Sequence, residues 1–265
     1  MLISDASRDG FAHQGEDHRA PCLLLAKDMS GCALLTFGEA LLTYKPAPSE
    51  ATASSPLAAG VSIQVQAVGG SELNVAVALA QLDGPMNKAA WVSMLPEGPL
   101  GDLVSTTASA LGVDFSKVQR LPDTTIGTLH VVDDGSGPRP HYQRRHSAFC
   151  TRANATSFAW AELLRTPRWL FLTGITPLLT PGTAAAWAAA LSAVPSTGGS
   201  QPSGSVRPSA QLLEPSVGDP PYACVDLNHR PALGALEELW ALIEPLLPKI
   251  TLLMLSEDSV DSVRF

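Results

Sequence analysis

Val68-Gly69-Gly70-Ser71-Glu72-Leu73-Asn74-Val75-Ala76-Val77-Ala78-Leu79-Ala80 reads as a tight turn feeding a helix. Glycines tolerate backbone angles that other residues avoid and let a ligand approach the main chain closely. Ser71 is a candidate cap, and the Ala-rich apolar run behind it favours helix. Asn74 falls in the first turn, where its amide can donate to and accept from a hydroxyl while unpaired helix N–H groups point the same way. Two readings of this corner stay open: a cradle for a hydroxyl-bearing ligand, or a turn needed only to seat a helix on a sheet.

Working outward, apolar runs alternate with helical patterns. Ala33 to Glu39 is a short buried strand closed by Gly38, and it leaves Glu39 at the strand mouth, where open parallel sheets bind ligands. Ala89 to Met94 gives a second strand, Pro99 to Leu111 a helix, and the region of Phe115 to Val118 a short strand. Trp160 to Leu164 and Pro181 to Leu191 are helical, and Arg168 to Gly174 is a strand between them. Ala223 to Pro231 is a strand with its mouth, Leu233 to Leu247 an amphipathic helix, Ile250 to Leu255 a last strand, and Ser256 onward the start of a helix. This rhythm predicts an α/β fold with a mostly parallel sheet. Two Pro/Ser-rich stretches, 46–60 and 195–221, read as loop insertions.

The segment from Thr124 to Arg145 has another texture, β-branched and partly alternating around Asp133-Asp134-Gly135-Ser136-Gly137, which predicts a hairpin. Tyr142 and Arg144, two apart, then project from one face, where a ring and a guanidinium can work on one ligand or simply form a solvated face.

With 265 residues, 45% hydrophobic and 16% charged, the chain has ample material for a buried core. A net charge of −8 without a basic stripe argues against a nucleic-acid partner. Cys22, Cys32, Cys150 and Cys224 show no metal-ligand spacing, so neither a metal site nor a disulfide framework is expected. No run approaches the roughly 18 apolar residues of a membrane helix. Met1 to Met29 lacks the charged-then-apolar order of a secretory signal, which predicts a cytoplasmic protein with an organelle address left open.

The ordered set of motifs resembles the PfkB (ribokinase-like) carbohydrate kinases, most closely the 2-keto-3-deoxygluconate kinase branch. The matching pieces are Phe37-Gly38-Glu39-Ala40-Leu41, the Val68 to Ala76 corner, Val92-Ser93 through Gly101-Asp102, Gly112-Val113, Arg139 to Ala148, Phe171 to Thr176, Val225-Asp226-Leu227-Asn228-His229-Arg230-Pro231, and Leu253 to Glu257. The resemblance implies a three-layer α/β/α sandwich with a small β lid built from segments near 40–45 and 124–145. It implies a partial domain over 33–265, its C-terminal part missing, behind an N-terminal extension over 1–32. The implied reaction is phosphorylation of a sugar or sugar acid such as 2-keto-3-deoxygluconate, with ATP and Mg²⁺ as cofactors. Carried over by position, Gly69, Gly70 and Asn74 hold hydroxyls, Tyr142, Arg144 and Arg230 hold the acid end, and Glu39, Asp226 and Asn228 are counted with them.

Three departures accompany the match. Leu129 or His130 stands where the family has an aromatic residue, and Ser259, beside Asp258, stands where a Glu orders the Mg²⁺ shell. The Gly-Ala-Gly-Asp segment carrying the family's catalytic base does not occur. The expectation is therefore a chain with the substrate half and without the ATP half, weak or inactive alone. The alternatives are a non-catalytic sugar-acid binding or regulatory subunit, a homodimer pairing through the lid among its forms, and a gene-model fragment.

Overall fold

Strand β4 (Ala89–Pro96) builds two cores at once. All eight of its residues are buried. Side chains alternate across a strand, so Ala90, Val92 and Met94 enter one hydrophobic cluster while Ala89, Trp91 and Leu95 enter another. A continuous apolar run is therefore what a strand covered on both faces looks like in sequence.

In the computed structural model, which describes residues 32–46, 63–82, 89–133, 137–195 and 221–260, β4 belongs to a six-stranded sheet. Its order is β10 (Leu252–Met254), β9 (Tyr222–Asp226), β8 (Trp169–Thr173), β1 (Leu34–Phe37), β4 and β5 (Val118–Leu121). Every pairing in it is parallel. Helices α1 (Ser71–Leu82) and α2 (Pro99–Ala110) cover one face through Leu73, Ala76, Val77, Val104 and Ala108. The other face is covered by α3 (Ala148–Arg152), α4 (Trp160–Leu163), α5 (Pro181–Ala193) and α6 (Leu236–Ile243), where Phe149, Trp160, Trp187 and Leu239 are buried together. The predicted three layers with a mostly parallel sheet are present.

The lid is a second sheet of four strands, ordered β3 (Ile63–Gly69), β2 (Leu41–Pro46), β6 (Gly127–Asp133) and β7 (Pro138–Gln143). Strands β2 and β3 pair antiparallel, as do β6 and β7, while β2 and β6 run parallel. The predicted lid segments contain β2, β6 and β7. Strand β3 differs from expectation, because loop composition extends up to Gly60 and hides the alternation of Ile63-Gln64-Val65-Gln66-Ala67-Val68.

Smaller differences have local causes. The strand expected near Phe115 begins at Val118, after Ser116 Oγ and N have closed a turn on Asp114. The helix expected over 233–247 is α only over Leu236–Ile243 and continues as a 3₁₀ segment over Glu244–Lys249, since Pro245 and Pro248 have no N–H to donate and their rings clash with the preceding turn. Most of the predicted N-terminal extension and both insertions (1–31, 47–62 and 196–220) lie outside the described residues. Among the described residues no helix is long and apolar enough to cross a membrane.

Candidate functional site

The two sheets meet where β3 ends and α1 begins. Asn74 N donates to Gly70 O at 2.8 Å, so the N–H groups before it in the helix have no intrahelical acceptor. The two glycines at this corner do different work. A Cβ on Gly70, whose φ is +154°, would lie 2.3 Å from the carbonyl oxygen of Glu39; packing alone requires glycine there. A Cβ on Gly69 would meet only Asn74 Oδ1, at 3.9 Å. Packing leaves Gly69 open, and the space in front of it is a cleft.

That cleft, of about 470 Å³, lies between the lid and the main sheet. The lid side contributes Leu41, Thr43, Leu129, Pro140, Tyr142 and Arg144; the corner contributes Gly69, Gly70 and Asn74; the loop after β9 contributes Arg230. A larger hollow of about 620 Å³ between β5 and α4 carries Lys117, Glu162 and Arg165. It gathers none of the residues singled out by the sequence, and a binding site is marked by convergent polar groups more than by volume.

Tyr142 is 53% exposed, and Arg144 Cζ lies 5.8 Å from its ring centre, within range of a cation–π contact. Arg144 sits just past β7 instead of on it. Its guanidinium is turned inward: Nε and Nη2 both lie 2.6 Å from Glu39 Oε2. Glu39, expected to touch substrate, does not line the cleft. It is 3% exposed, and Oε1 accepts from the Ser147 hydroxyl. Burial pushes its carboxyl above the ordinary carboxylate value, while Arg144 and Ser147 pull it back down, burial being the larger effect. Burial and the neighbouring Glu39 push the Cys150 thiol up to about 12, so it is a neutral packing group and not a nucleophile.

Asp226 and Asn228 also stand off the cleft, and both shape the loop that delivers Arg230. Asp226 Oδ1 accepts from Asn228 N at 3.1 Å, and Asn228 Nδ2 donates to Ser71 Oγ at 3.0 Å. Asn228 adopts φ +39°, a left-handed conformation that Asn tolerates better than most residues. The Ser71 hydroxyl, a candidate cap in the sequence, is instead the anchor of this loop. Burial pushes the Asp226 carboxyl up, against the opposing pull of the Asn228 N–H and of Arg230.

One buried acid was not singled out by the sequence. Glu72, 2% exposed, borders the cleft, and its Oε1 accepts from Thr173 Oγ1 at 2.7 Å and Thr176 Oγ1 at 2.9 Å. An acid in the first turn ordinarily reads as a helix-dipole partner, and its true partners arrive from the end of β8 and the turn after it, about a hundred residues later. Burial holds its carboxyl above the ordinary value. Of the two lid positions left open, Leu129 faces the cleft while His130 stacks on Tyr44, ring centres 5.1 Å apart. Ser259 is buried, its hydroxyl hydrogen-bonded to that of Ser256 at 2.9 Å.

The cleft thus offers two guanidinium groups, one amide, a phenol and a bare backbone corner, a donor-rich set suited to an anionic polyol. It does not fit Mg²⁺ or a nucleotide's metal: its one carboxylate is occupied by two threonines, and among the described residues no three His, Cys, Asp or Glu side chains are grouped to hold a metal.

Residues 34–198 match the model of the pfkB family of carbohydrate kinases. A protein of Haloferax volcanii named as a 2-dehydro-3-deoxygalactonokinase is 27% identical over 234 residues, 87% of this chain and 62% of its own length. The crystal structure of a 2-dehydro-3-deoxygluconokinase from Thermotoga maritima superposes with a TM-score of 0.65 at 25% identity, covering 88% of this chain and 62% of that one. The fructokinase of Xylella fastidiosa, solved with bound ATP, shares the fold with a TM-score of 0.60 at 20% identity, over 87% of this chain and 59% of its own. The chain therefore spans about three-fifths of the length of the relatives that it matches.

Proposed function

The chain belongs to the pfkB family of carbohydrate kinases, and from that premise we propose that its cleft takes a sugar acid of the 2-keto-3-deoxygluconate class as the acceptor side of a phosphoryl transfer. Gly69, Gly70 and Asn74 meet the sugar hydroxyls. Tyr142, Arg144 and Arg230 meet the carboxylate, for which a planar guanidinium makes two parallel charge-assisted hydrogen bonds. One observation carries this reading: two arginines, from the end of β7 and the loop after β9, line the same cleft as the glycine corner. A neutral sugar needs no such pair. The names of the Haloferax and Thermotoga relatives point to the same substrate class.

ATP with Mg²⁺ is the phosphoryl donor that the family implies; among the described residues no three His, Cys, Asp or Glu side chains are grouped to hold the metal, so no step of transfer is assigned to them. In a phosphoryl transfer the protein's contribution is mainly positioning and electrostatic stabilisation. What these residues contribute is the first of these, a fixed acceptor. The lid is the surface proposed for pairing of two copies.

Titration calorimetry with 2-keto-3-deoxygluconate and with the neutral sugar fructose tests the reading. The acid should bind at least about tenfold more tightly, a difference of about 1.4 kcal/mol, and lose that advantage as salt screens the arginines. Equal affinity for the two would overturn it.

A further inference from the structure

The chain passes between the main sheet and the lid four times, and each passage runs against one residue. Glu39 itself lies on the first passage, between β1 and β2. On the second, its carbonyl oxygen is the atom that a Cβ on Gly70 would strike at 2.3 Å. On the third, a Cβ on Gly127 would lie 2.7 Å from Glu39 Oε1. On the fourth, Arg144 and Ser147 both bond its carboxylate. Ser147 in turn caps α3 by accepting from Cys150 N at 3.1 Å, and its own N–H donates to Arg144 O at 3.0 Å. Each passage thereby runs against one buried residue, Glu39, through its backbone or its carboxylate, and that residue does not line the cleft.

We propose that Glu39 is the positioning residue of the acid-binding wall, acting on the ligand through Arg144. Nε and Nη2 form the side edge of the guanidinium, and Glu39 Oε2 takes that edge. The remaining edge, one N–H each from Nη1 and Nη2, is left over for a ligand in the cleft that Arg144 lines. An arginine side chain gives up rotamer freedom when it grips a ligand, and a buried partner that removes this freedom beforehand makes the bidentate grip on a carboxylate stronger. The ligand half of this inference rests on the sugar-acid reading above; the hold of Glu39 on Arg144 does not.

The full-length chain is compared as wild type, Glu39→Gln, Arg144→Ala and the double variant. Calorimetry with 2-keto-3-deoxygluconate should show Glu39→Gln weakening binding by about 10- to 100-fold, by analogy with the loss of a partner that orients a metal ligand. Fructose affinity should be unchanged, and in the Arg144→Ala background Glu39→Gln should add less than about twofold. Equal weakening of both sugars, or an additive effect in the double variant, would overturn the proposal. Phenylglyoxal labelling of Arg144, read by peptide mass, needs no sugar: Glu39→Gln should accelerate it severalfold, and an unchanged rate would overturn the proposal even if the sugar-acid reading had failed. Should Glu39→Gln not fold, Glu39→Asp keeps the charge but draws the carboxylate back by one carbon; selective weakening of the acid supports the assignment, and unaltered selectivity overturns it.

Discussion

Strand β4 of the main sheet buries every residue it has, whereas on β7 of the lid Arg139 to Gln143 are all exposed. The difference divides labour. A strand covered on both faces has no surface left for a ligand and is selected for volume and shape. A strand with an open face can change side chains at little cost to stability, which leaves it free to vary with a ligand. The cleft draws about half of its lining from the lid, Tyr142 and Arg144 included, and the rest from the start of α1 and the loops after β8 and β9.

The largest effect that could break this division is a truncation in the main core. Trp187, fully buried on α5, should cost about 3–5 kcal/mol of unfolding free energy when changed to Ala, read by urea denaturation. On the exposed lid strand Tyr142→Ala should stay within about 0.5 kcal/mol while weakening sugar-acid binding. A loss of stability at Tyr142 comparable with that at Trp187 would mean that the lid is part of one cooperative core.

Next comes Arg230, which reaches the cleft from the main-sheet side. Hydrogen bonds to charged groups contribute about 1.5–3 kcal/mol, so Arg230→Ala should weaken sugar-acid binding by about 10- to 150-fold with the melting temperature unchanged. A fall in melting temperature without a fall in affinity would make Arg230 part of the scaffold.

Smaller still is the contrast between neighbouring glycines. Gly70→Ala forces a Cβ against the Glu39 carbonyl and should destabilise the fold by about 1–3 kcal/mol of strain. Gly69→Ala meets only Asn74 Oδ1, so the fold should hold and ligand affinity should drop. If Gly69→Ala left calorimetric affinity intact, the corner would be a packing device and nothing more.

What the sequence revealed divides along the same line. The main sheet was legible because β1, β4, β8 and β9 are apolar runs closed by Gly or a polar mouth, and α1 and α5 carry their own start signals. In the lid, β6 and β7 were legible as a hairpin from β-branched residues around a turn-like segment and β2 only through the family resemblance, but β3 was not, since the Pro/Ala/Ser-rich stretch before it masked a short period-two pattern. The cleft residues Gly69, Asn74, Tyr142 and Arg230 came from motif order. The roles of Glu39 and Glu72 did not, because each is defined by partners some hundred positions away: Arg144 and Ser147 for one, Thr173 and Thr176 for the other. Local pattern shows that an acid sits at a strand end or a helix start. It does not show what will be folded against it.

Glu72 supplies the finest test, a slope with pH instead of a loss. Burial raises its folded-state pKa above the ordinary 4.5. Below that value the carboxyl is protonated in both folded and unfolded chains and contributes nothing. As pH rises past 4.5 the unfolded chain releases the proton first, the folded chain keeps it, and stability declines until the folded group ionises too. Glu72→Gln still offers a carbonyl oxygen to Thr173 and Thr176 and has no proton to lose. Melting temperatures of wild type and variant, measured from pH 4.5 to 8, should therefore diverge in the variant's favour as pH rises, with the contribution of Glu39 cancelling between them. A difference that stays flat across this range would show that the two threonine hydroxyls fully compensate the buried charge, and that the base of the cleft carries a permanent anion beneath its two arginines.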